Sequence, residues 1–568
     1  TDVNQLLKKM LYEVVYTTKD SAGNKQEVNL AYTDGYNTET VQNDLRYLSK
    51  YANGRISETK YGRTTPYSIL KTAEYDDVAR TVNQADQNDR RTKIFYDIYG
   101  RQTQMNLGSE TALTVTYGGT GYGGDNYAES KKINGSSEVL STTDVYAARN
   151  MTFSYKNGIP EETVTSDSDA VQKDTYARDN AYRITTQTME VDCFSKGVFT
   201  EHTDISRQTV EYEDRFYGTE HSSRVSKITH TVEERSEDGT VSRSKVLTTS
   251  LSYDTFERVS EIVKETSSAK LVRSMTYETS GKKDLGRVKI VRQKKEGATA
   301  DLSAEHYAYD AAGRITQITG IQLSDYTYDG FGRLIRENNR PFGQTITYAY
   351  DTYGNITSKK TYAYTTGTLP TTYTEDVFTY GNNNRPDRLT AVNGKALSYT
   401  DNGKDTTHLT GFNGITHTWS KGLYSGYMRQ NSSTGERTVY ACKYNAQGQR
   451  IKTVYDYTPP STSTLNFLIK REDFVYYHTD GTLQTIVRED TATNGTRWRT
   501  HFRFLYGPDG ISGCAYKSPE NSAPILYTYV KNALGDIIYI CDENYNIKAE
   551  YVYDAYGNCK IKNDTTNG

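Results

Sequence analysis

The sequence predicts an all-β fold of repeated hairpins arranged as a wall around a hollow interior. Three observations support this prediction: a recurring Tyr-Asp-x-x-Gly motif, strand-like alternation on both sides of it, and an unusual richness in tyrosine. A motif that returns at short intervals marks one repeated structural unit. The repeat therefore sets the architecture, and we expect its own residues to be structural.

The motif fits a tight hairpin turn. Aspartate at the first turn position accepts hydrogen bonds from backbone N–H groups two residues on, and glycine at the fourth accepts a positive φ. A type I turn followed by a left-handed glycine closes a three-residue hairpin loop with a bulge. The predicted structural turn residues of the five clean copies are Tyr96, Asp97, Gly100, Arg101, Tyr309, Asp310, Gly313, Arg314, Tyr328, Asp329, Gly332, Arg333, Tyr350, Asp351, Gly354, Tyr553, Asp554 and Gly557.

The residues around each turn alternate as strands do. Tyr307 and Tyr309 fall on one face of an incoming strand, because side chains two residues apart point the same way. The outgoing strand begins with Arg or Asn and an aliphatic residue, as in Arg314-Ile315. We therefore expect an arginine to lie over a tyrosine ring across the hairpin.

The composition indicates an ordered protein with few aliphatic side chains. The 568 residues include 51 Tyr against 14 Phe and 2 Trp, and hydrophobic residues make up 35% of the chain. A net charge of −3 with 12% aromatic residues does not fit disorder. Because so few aliphatic side chains cannot fill a solid core of this size, a thin wall around a water-accommodating interior fits better.

Charge and cysteine content exclude several classes of protein. Lysine and arginine (68) nearly balance aspartate and glutamate (71), so no basic footprint for nucleic acid exists. No apolar stretch is long enough to span a membrane. The five cysteines are scattered and lack a Cys-x-x-Cys spacing, which indicates neither a disulfide framework nor a zinc site.

The repeat divides the chain into four segments. Residues 1–45 are irregular, with helical spacing at Leu6–Val14 and again at Val41, Leu45 and Leu48. Residues 46–457 carry the clean and degenerate repeats. Residues 458–472 begin with Thr458-Pro459-Pro460 and are predicted to be a loop or linker. Residues 473–568 form a last segment of different character.

That last segment carries a specific resemblance. Tyr527-Thr528-Tyr529-Val530-Lys531-Asn532-Ala533-Leu534-Gly535-Asp536 leads to Ala549-Glu550-Tyr551-Val552-Tyr553-Asp554-Ala555-Tyr556-Gly557-Asn558. It resembles the core-associated segment of the RHS/YD-repeat family, which includes bacterial Rhs-type polymorphic toxins, wall-associated proteins, the C component of Tc toxins and teneurins. The resemblance implies β-hairpins wound in a spiral into a large hollow, barrel-like shell.

The chain departs from this family at its C-terminal end. Members usually continue into a self-cleavage motif that contains Asp-Pro and then into a toxin domain. This chain ends at Gly568 and contains no Asp-Pro dipeptide. We therefore expect a fragment of a longer protein, truncated before both features.

Candidate chemistry is sparse. Gly119-Thr120-Gly121-Tyr122-Gly123-Gly124 matches a dinucleotide-binding fingerprint, but the loop-like residues after it favour a hairpin tip. The repeated aspartates could suggest paired catalytic carboxylates, yet a residue repeated beside a turn glycine has a structural role. The eight histidines are dispersed, so neither a metal site nor any cofactor is predicted. Trp419 and Trp498 could stack on sugar rings, although packing between strands is the simpler interpretation.

The sequence therefore predicts a non-enzymatic encapsulating shell of a secreted or surface RHS-type toxin. Its partner would be a C-terminal toxin polypeptide of the same protein, held for delivery to a neighbouring cell. The alternative is a teneurin-like cell-surface scaffold that binds glycans or a receptor, with no nucleic acid or membrane partner in either case. The bacterial cell surface or the extracellular space is the expected location.

Overall fold

The structure is a computed structural model, and it shows that repeated antiparallel hairpins account for the fold. It describes residues 17–19, 25–27, 32–33, 35–42, 45–52, 55–62, 68–86, 91–107, 110–117, 128–133, 149–156, 159–167, 169–194, 202–213, 216–217, 220–221, 224–236, 240–278, 286–381, 387–399, 415–420, 423–445, 448–460, 468–478, 480–520 and 523–564. These residues form 45 strands and no helix.

The first half of the chain contains 24 strands. They are β1 (Thr17–Lys19), β2 (Lys25–Glu27), β3 (Tyr32–Thr33), β4 (Gly35–Gln42), β5 (Leu45–Ala52), β6 (Arg55–Gly62), β7 (Ser68–Asp76), β8 (Thr81–Asp86), β9 (Arg91–Tyr96), β10 (Gln102–Leu107), β11 (Glu110–Tyr117), β12 (Ala128–Ile133), β13 (Arg149–Lys156), β14 (Ile159–Ser166), β15 (Ala170–Arg178), β16 (Ile184–Cys193), β17 (His202–Tyr212), β18 (Phe216–Tyr217), β19 (Glu220–His221), β20 (Val225–Ser236), β21 (Val241–Tyr253), β22 (Val259–Glu265), β23 (Lys270–Tyr277) and β24 (Val288–Lys295).

The second half adds 21 more. They are β25 (Ser303–Tyr309), β26 (Ile315–Thr319), β27 (Ser324–Tyr328), β28 (Leu334–Asn339), β29 (Gln344–Tyr350), β30 (Ile356–Ala363), β31 (Thr374–Tyr380), β32 (Leu389–Val392), β33 (Lys395–Ala396), β34 (Ile415–Ser420), β35 (Leu423–Gln430), β36 (Arg437–Tyr444), β37 (Arg450–Thr458), β38 (Leu468–Tyr477), β39 (Leu483–Ala492), β40 (Arg497–Gly507), β41 (Gly510–Lys517), β42 (Ile525–Lys531), β43 (Ile537–Cys541), β44 (Ile547–Tyr553) and β45 (Cys559–Asp564).

Strands that follow one another in sequence pair with one another. One large sheet contains β3 to β17 and β20 to β33, and a second contains β34 to β45 in order. The pairing at β25–β26 illustrates the repeat: it runs regularly to Ala308↔Gln317 and then shifts to Tyr309↔Ile315. This shift is the bulge that the sequence predicted beside the turn.

Two sequence predictions are wrong. Val41 lies in β4, and Leu45 and Leu48 lie in β5, so their helical spacing is coincidental: the two strands pair as a hairpin. The predicted linker 458–472 is strand from Leu468 onward, because Leu468 begins β38, which pairs with β37 and β39. The helical prediction at 6–14 and the glycine-rich motif at 119–124 lie outside the described residues.

The chain divides into two compact units. The first comprises Thr1–Thr116, Ala349–Ser358 and Asp376–His417, and the second comprises Tyr117–Tyr348, Lys359–Glu375 and Thr418–Gly568. In the first unit, strands β4 to β9 form a continuous antiparallel ladder. Among the described residues, no helix has the length and apolarity needed to cross a membrane.

In the second unit, parts of the two large sheets pack face to face. Three apolar clusters join them; one places Met189 and Val191 of the first sheet against Phe474 and Val487 of the second. The other two join Val232 and Leu247 to Leu505, Ala515 and Leu526, and join Leu271 to Val530, Ile538, Tyr539, Cys541 and Tyr545. We call the buried space between these sheets the inter-sheet layer.

Candidate functional site

The predicted turn geometry is present in every clean copy of the motif. Asp310 Oδ1 accepts hydrogen bonds from the backbone N–H groups of Ala312 and Arg314, both at 2.9 Å, and Oδ2 accepts one from Arg314 Nε at 2.6 Å. The N–H of Gly313 donates to the Asp310 carbonyl, and Gly313 has a φ of +85°. The N–H of Arg314 is the main reason that the pKa of Asp310 lies below its usual value.

The other copies repeat these bonds. Asp97 and Asp329 bind the arginine four residues on through its Nε, and Asp351 and Asp554 bind an asparagine there through its Nδ2. The glycine φ values are +78° at Gly100, +84° at Gly332, +88° at Gly354 and +81° at Gly557. The aspartates are therefore occupied as turn acceptors, as the sequence indicated.

Sequence reasoning missed two further turns of this kind. At Asn532 the roles are exchanged, because Asn532 Oδ1 accepts the backbone bonds and Asn532 Nδ2 donates to Asp536 at 2.8 Å. At Asp542 the glycine is replaced by Tyr545, which adopts a φ of +59°. In both turns, an asparagine and an aspartate stand four residues apart. This spacing, rather than the glycine, is the sequence signal that would have revealed both turns.

In several hairpins, the tyrosine just before the turn connects neighbouring repeats. Its hydroxyl donates to the backbone carbonyl of the first residue of the outgoing strand one repeat earlier, and we call this bond the tyrosine bridge. Tyr328 reaches Ile315 at 2.9 Å and Tyr309 reaches Val288 at 2.7 Å. The same bond joins Tyr212 to Ile184, Tyr253 to Val225, Tyr277 to Val259 and Tyr553 to Ile537.

The motif arginine also contacts the next repeat. Arg314 lies over the ring of Tyr328 at 4.7 Å, and Arg258 lies over the ring of Tyr277 at 4.1 Å. The expectation of an arginine–tyrosine contact within one hairpin therefore needs correction. At Arg314 and Arg258 the cation–π contact joins two successive hairpins, whereas Arg101 lies over Tyr99 of its own turn at 4.9 Å.

Removing one tyrosine bridge should have a modest, local effect. Tyr328→Phe is expected to lower the free energy of unfolding by about 1 kcal/mol, because the Ile315 carbonyl loses its donor. Chemical denaturation followed by circular dichroism would measure the change. Tyr182→Phe is the matched control, because Tyr182 is 57% exposed at a turn tip. Equal losses in both variants would contradict the bridge's contribution.

The two tryptophans do not form a joint site. Trp419 lies in β34, is 38% exposed and meets the ring of Tyr424 edge-on at 5.0 Å. Trp498 lies in β40, is half-buried and stands opposite Asp490 of β39. Six strand steps in one sheet separate them by roughly 30 Å. The two rings therefore lie apart, and sugar stacking by either of them stays a prediction.

The inter-sheet layer contains an ionic cluster that the sequence did not reveal. Arg503 of β40 is fully buried; its Nη2 lies 2.5 Å from Asp204 Oδ1 of β17 and also pairs with Glu234 of β20. Lys517 binds the other oxygen of Glu234. Burial alone would raise the pKa of Asp204, but the Arg503 guanidinium lowers it well below the usual range. These ions lie about 270 to 300 residues apart, so no local pattern predicts them.

Besides His202, three histidines enter this layer. His501 Nδ1 lies 2.8 Å from Asp204 Oδ2, and His478 Nδ1 lies 2.9 Å from Asp174 Oδ1. His230 Nε2 lies 2.6 Å from the carbonyl oxygen of Tyr506, and its buried Nδ1 has no hydrogen-bond partner among the described residues. These histidines, which are dispersed in the sequence, therefore come together in the fold.

Burial of His230 should make stability depend on pH. Burial lowers the pKa of His230 to about 4. As pH falls below about 6.5, the unfolded state therefore takes up the proton first, and the stability present above pH 6.5 is lost toward pH 4. Between pH 7 and pH 5, the free energy of unfolding should fall by about 2 kcal/mol more in the wild type than in His230→Gln. Urea denaturation at both pH values tests this. His306→Gln, at an exposed position, should behave as the wild type does.

Repeat residues of both sheets meet at a cavity in the second unit. It has a volume of about 440 Å³. Tyr328 and Gly332 line one side, and Tyr553, Asp554 and Gly557 line another. The side chain of Asp554 is already hydrogen-bonded to Asn558 within its own turn. The cavity lining therefore offers aromatic rings and polar groups that already have hydrogen-bond partners. The fold thus brings two distant copies of the motif together.

Tandem hairpins with aspartate-locked turns and tyrosine bridges define a class of all-β repeat protein. The family described as RHS Repeat matches residues 328–367, which contain two of the clean motifs. Residues 328–367 therefore carry an RHS repeat, and the chain is similar to RHS-repeat proteins.

Curated relatives match part of the chain. The tRNA3(Ser)-specific nuclease WapA of Bacillus spizizenii and the tRNA nuclease WapA of Bacillus subtilis strain 168 are each 27% identical over 232 residues. This match spans 41% of the chain but 8% of either relative.

Solved structures show the same fold. The crystal structure of TcdB2-TccC3-Cdc42 has a TM-score of 0.53 at 14% identity and covers 97% of this chain and 31% of that one. TcdB2-TccC3 without its hypervariable C-terminal region scores 0.53, with 96% and 30% covered. The Photorhabdus luminescens Tc holotoxin pore with TccC3-D651A scores 0.51 at 12% identity. The predicted all-β fold class is confirmed.

Proposed function

We propose that this chain is the wall of an encapsulating shell and that it sequesters a toxin polypeptide encoded after it in the same protein. The observation that carries the proposal is the match of 97% of the chain to a TccC3-containing structure. Another neighbour is described as lacking a hypervariable C-terminal region, and the WapA relatives are nucleases. A repeat wall followed by a variable effector accounts for both.

The wall itself is proposed to be non-enzymatic. The repeated aspartates are consumed by turn bonds, and the repeated tyrosine hydroxyls by backbone carbonyls. Such groups hold strands together and leave no free acid–base pair at the clean motif turns that the structure describes. Secretion to the cell surface or beyond is part of the same proposal, because an effector aimed at another cell must leave the first.

Protection of a passenger tests the proposal. An unfolded, trypsin-sensitive polypeptide would be fused after Gly568 and exposed to trypsin under native conditions. We expect it to survive much longer than the same polypeptide alone, and to lose protection in 6 M urea. A linker of Gly and Ser long enough to place the passenger outside serves as control. Digestion of the direct fusion as fast as the free passenger would refute sequestration.

Glycan adhesion is the competing function. Trp419 is the more exposed of the two tryptophans, so a glycan array probed with the wild type and with Trp419→Ala separates the hypotheses. Binding that is lost in this variant would favour adhesion over encapsulation.

A further inference from the structure

We propose that His202, Asp204 and His501 form a binding site for a divalent transition metal such as zinc, which would tie the two sheets together in the second unit. His202 and Asp204 lie on β17 of the first sheet, and His501 lies on β40 of the second. One donor atom from each residue lies within 4.8 Å of the others.

The donor positions are close to those of a metal site. Asp204 Oδ2 lies 2.8 Å from His501 Nδ1 and 3.8 Å from His202 Nε2. Metal–ligand bonds of about 2.0–2.1 Å in tetrahedral geometry place ligand atoms roughly 3.3 Å apart. Both distances to Asp204 Oδ2 differ from this separation by about half an ångström, and all three donor atoms lie within 4.8 Å of one another.

One donor atom lacks a partner. His202 Nε2 is buried and has no hydrogen-bond partner among the described residues. A buried polar atom without a partner costs free energy, and a metal ion would satisfy it. His478 in the same layer provides the contrast, because its two nitrogens are satisfied by Asp174 at 2.9 Å and Gln484 at 2.8 Å.

The nearby cations leave one carboxylate oxygen of Asp204, Oδ2, available to a metal ion. Arg503 takes Asp204 Oδ1, whereas both histidines face Oδ2. Arg499 Nη1 lies 3.4 Å from His202 Nδ1, but Arg499 is paired with Glu489 at 2.5 Å. Two imidazoles and one carboxylate suit zinc, cobalt or nickel, and they do not suit magnesium or calcium, which prefer oxygen ligands.

Metal binding by the purified full chain tests the site. After treatment with a chelator, equilibrium dialysis against micromolar Zn²⁺ should leave one high-affinity equivalent per chain, measured by mass spectrometry of the metal. Co²⁺ should replace it with visible absorption bands from mixed nitrogen and oxygen ligands, and Mg²⁺ should not compete. Thermal unfolding should shift upward with one equivalent of Zn²⁺.

Variants assign the ligands. His202→Ala and His501→Ala should each lose the stoichiometric equivalent, whereas His306→Ala, at an exposed strand position, should keep it. Absence of a bound equivalent in the wild type overturns the proposal whether or not any variant folds. Retention of the equivalent in His202→Ala or His501→Ala overturns it as well.

Discussion

Arg503→Met is expected to lower the free energy of unfolding by about 3–5 kcal/mol. The side chain is fully buried, and its removal leaves the carboxylates of Asp204 and Glu234 in the inter-sheet layer without their shared guanidinium. An uncompensated buried charge is costly, whereas an intact buried pair contributes little net stability. Denaturation by urea, followed by circular dichroism, measures the loss.

Two further variants serve as controls for this experiment. Arg292→Met removes an arginine that is 53% exposed and paired with Asp301 at 3.4 Å, so it should change stability by less than about 1 kcal/mol. Adding Asp204→Asn and Glu234→Gln to Arg503→Met should recover much of the loss, because it removes the two carboxylate charges that had paired with the guanidinium. A loss in Arg503→Met no larger than in Arg292→Met would show that the carboxylates do not need the guanidinium.

Gly426→Ala should be the second most damaging substitution, at about 3 kcal/mol or more. Gly426 has a φ of +142°, and an added Cβ would lie 1.9 Å from the carbonyl oxygen of Tyr440 on the neighbouring strand. That atom belongs to a paired backbone, so β35 and β36 would have to separate.

The matched control is Gly557→Ala. Gly557 also has a positive φ, at +81°, but a Cβ there would meet nothing within 4 Å. Only the left-handed backbone would be strained, at a cost of about 1–2 kcal/mol. Thermal unfolding of both variants separates collision from backbone strain, and equal shifts would contradict the predicted clash.

The turns were predictable because their chemistry is local. Asp310, Gly313 and Arg314 lie within five residues, and their hydrogen bonds close inside one hairpin. The all-β class and the bulge beside the turn could therefore be predicted from the sequence. Spacing alone misled at Val41, Leu45 and Leu48, where steps of four and three imitate a helix but two paired strands form.

The inter-sheet layer could not be predicted because its contacts are distant in sequence. His501 and Asp204 are 297 residues apart and Arg503 and Glu234 are 269 apart, so the pairs exist only once two sheets face each other. The tyrosine bridge was partly predictable from the sequence. Its donor was visible in the motif, but its acceptor depends on how successive hairpins align.

The tyrosine bridge has a consequence for how such walls change in evolution. It spans 13 residues from Tyr328 to Ile315 but 28 from Tyr253 to Val225, with nearly the same bond length. Since both ends are fixed relative to turns at one margin of the sheet, residues can be inserted at the far margin without disturbing the joint. Because each repeat contacts only its neighbours, each one can be lengthened independently. The sheet can therefore be extended repeat by repeat.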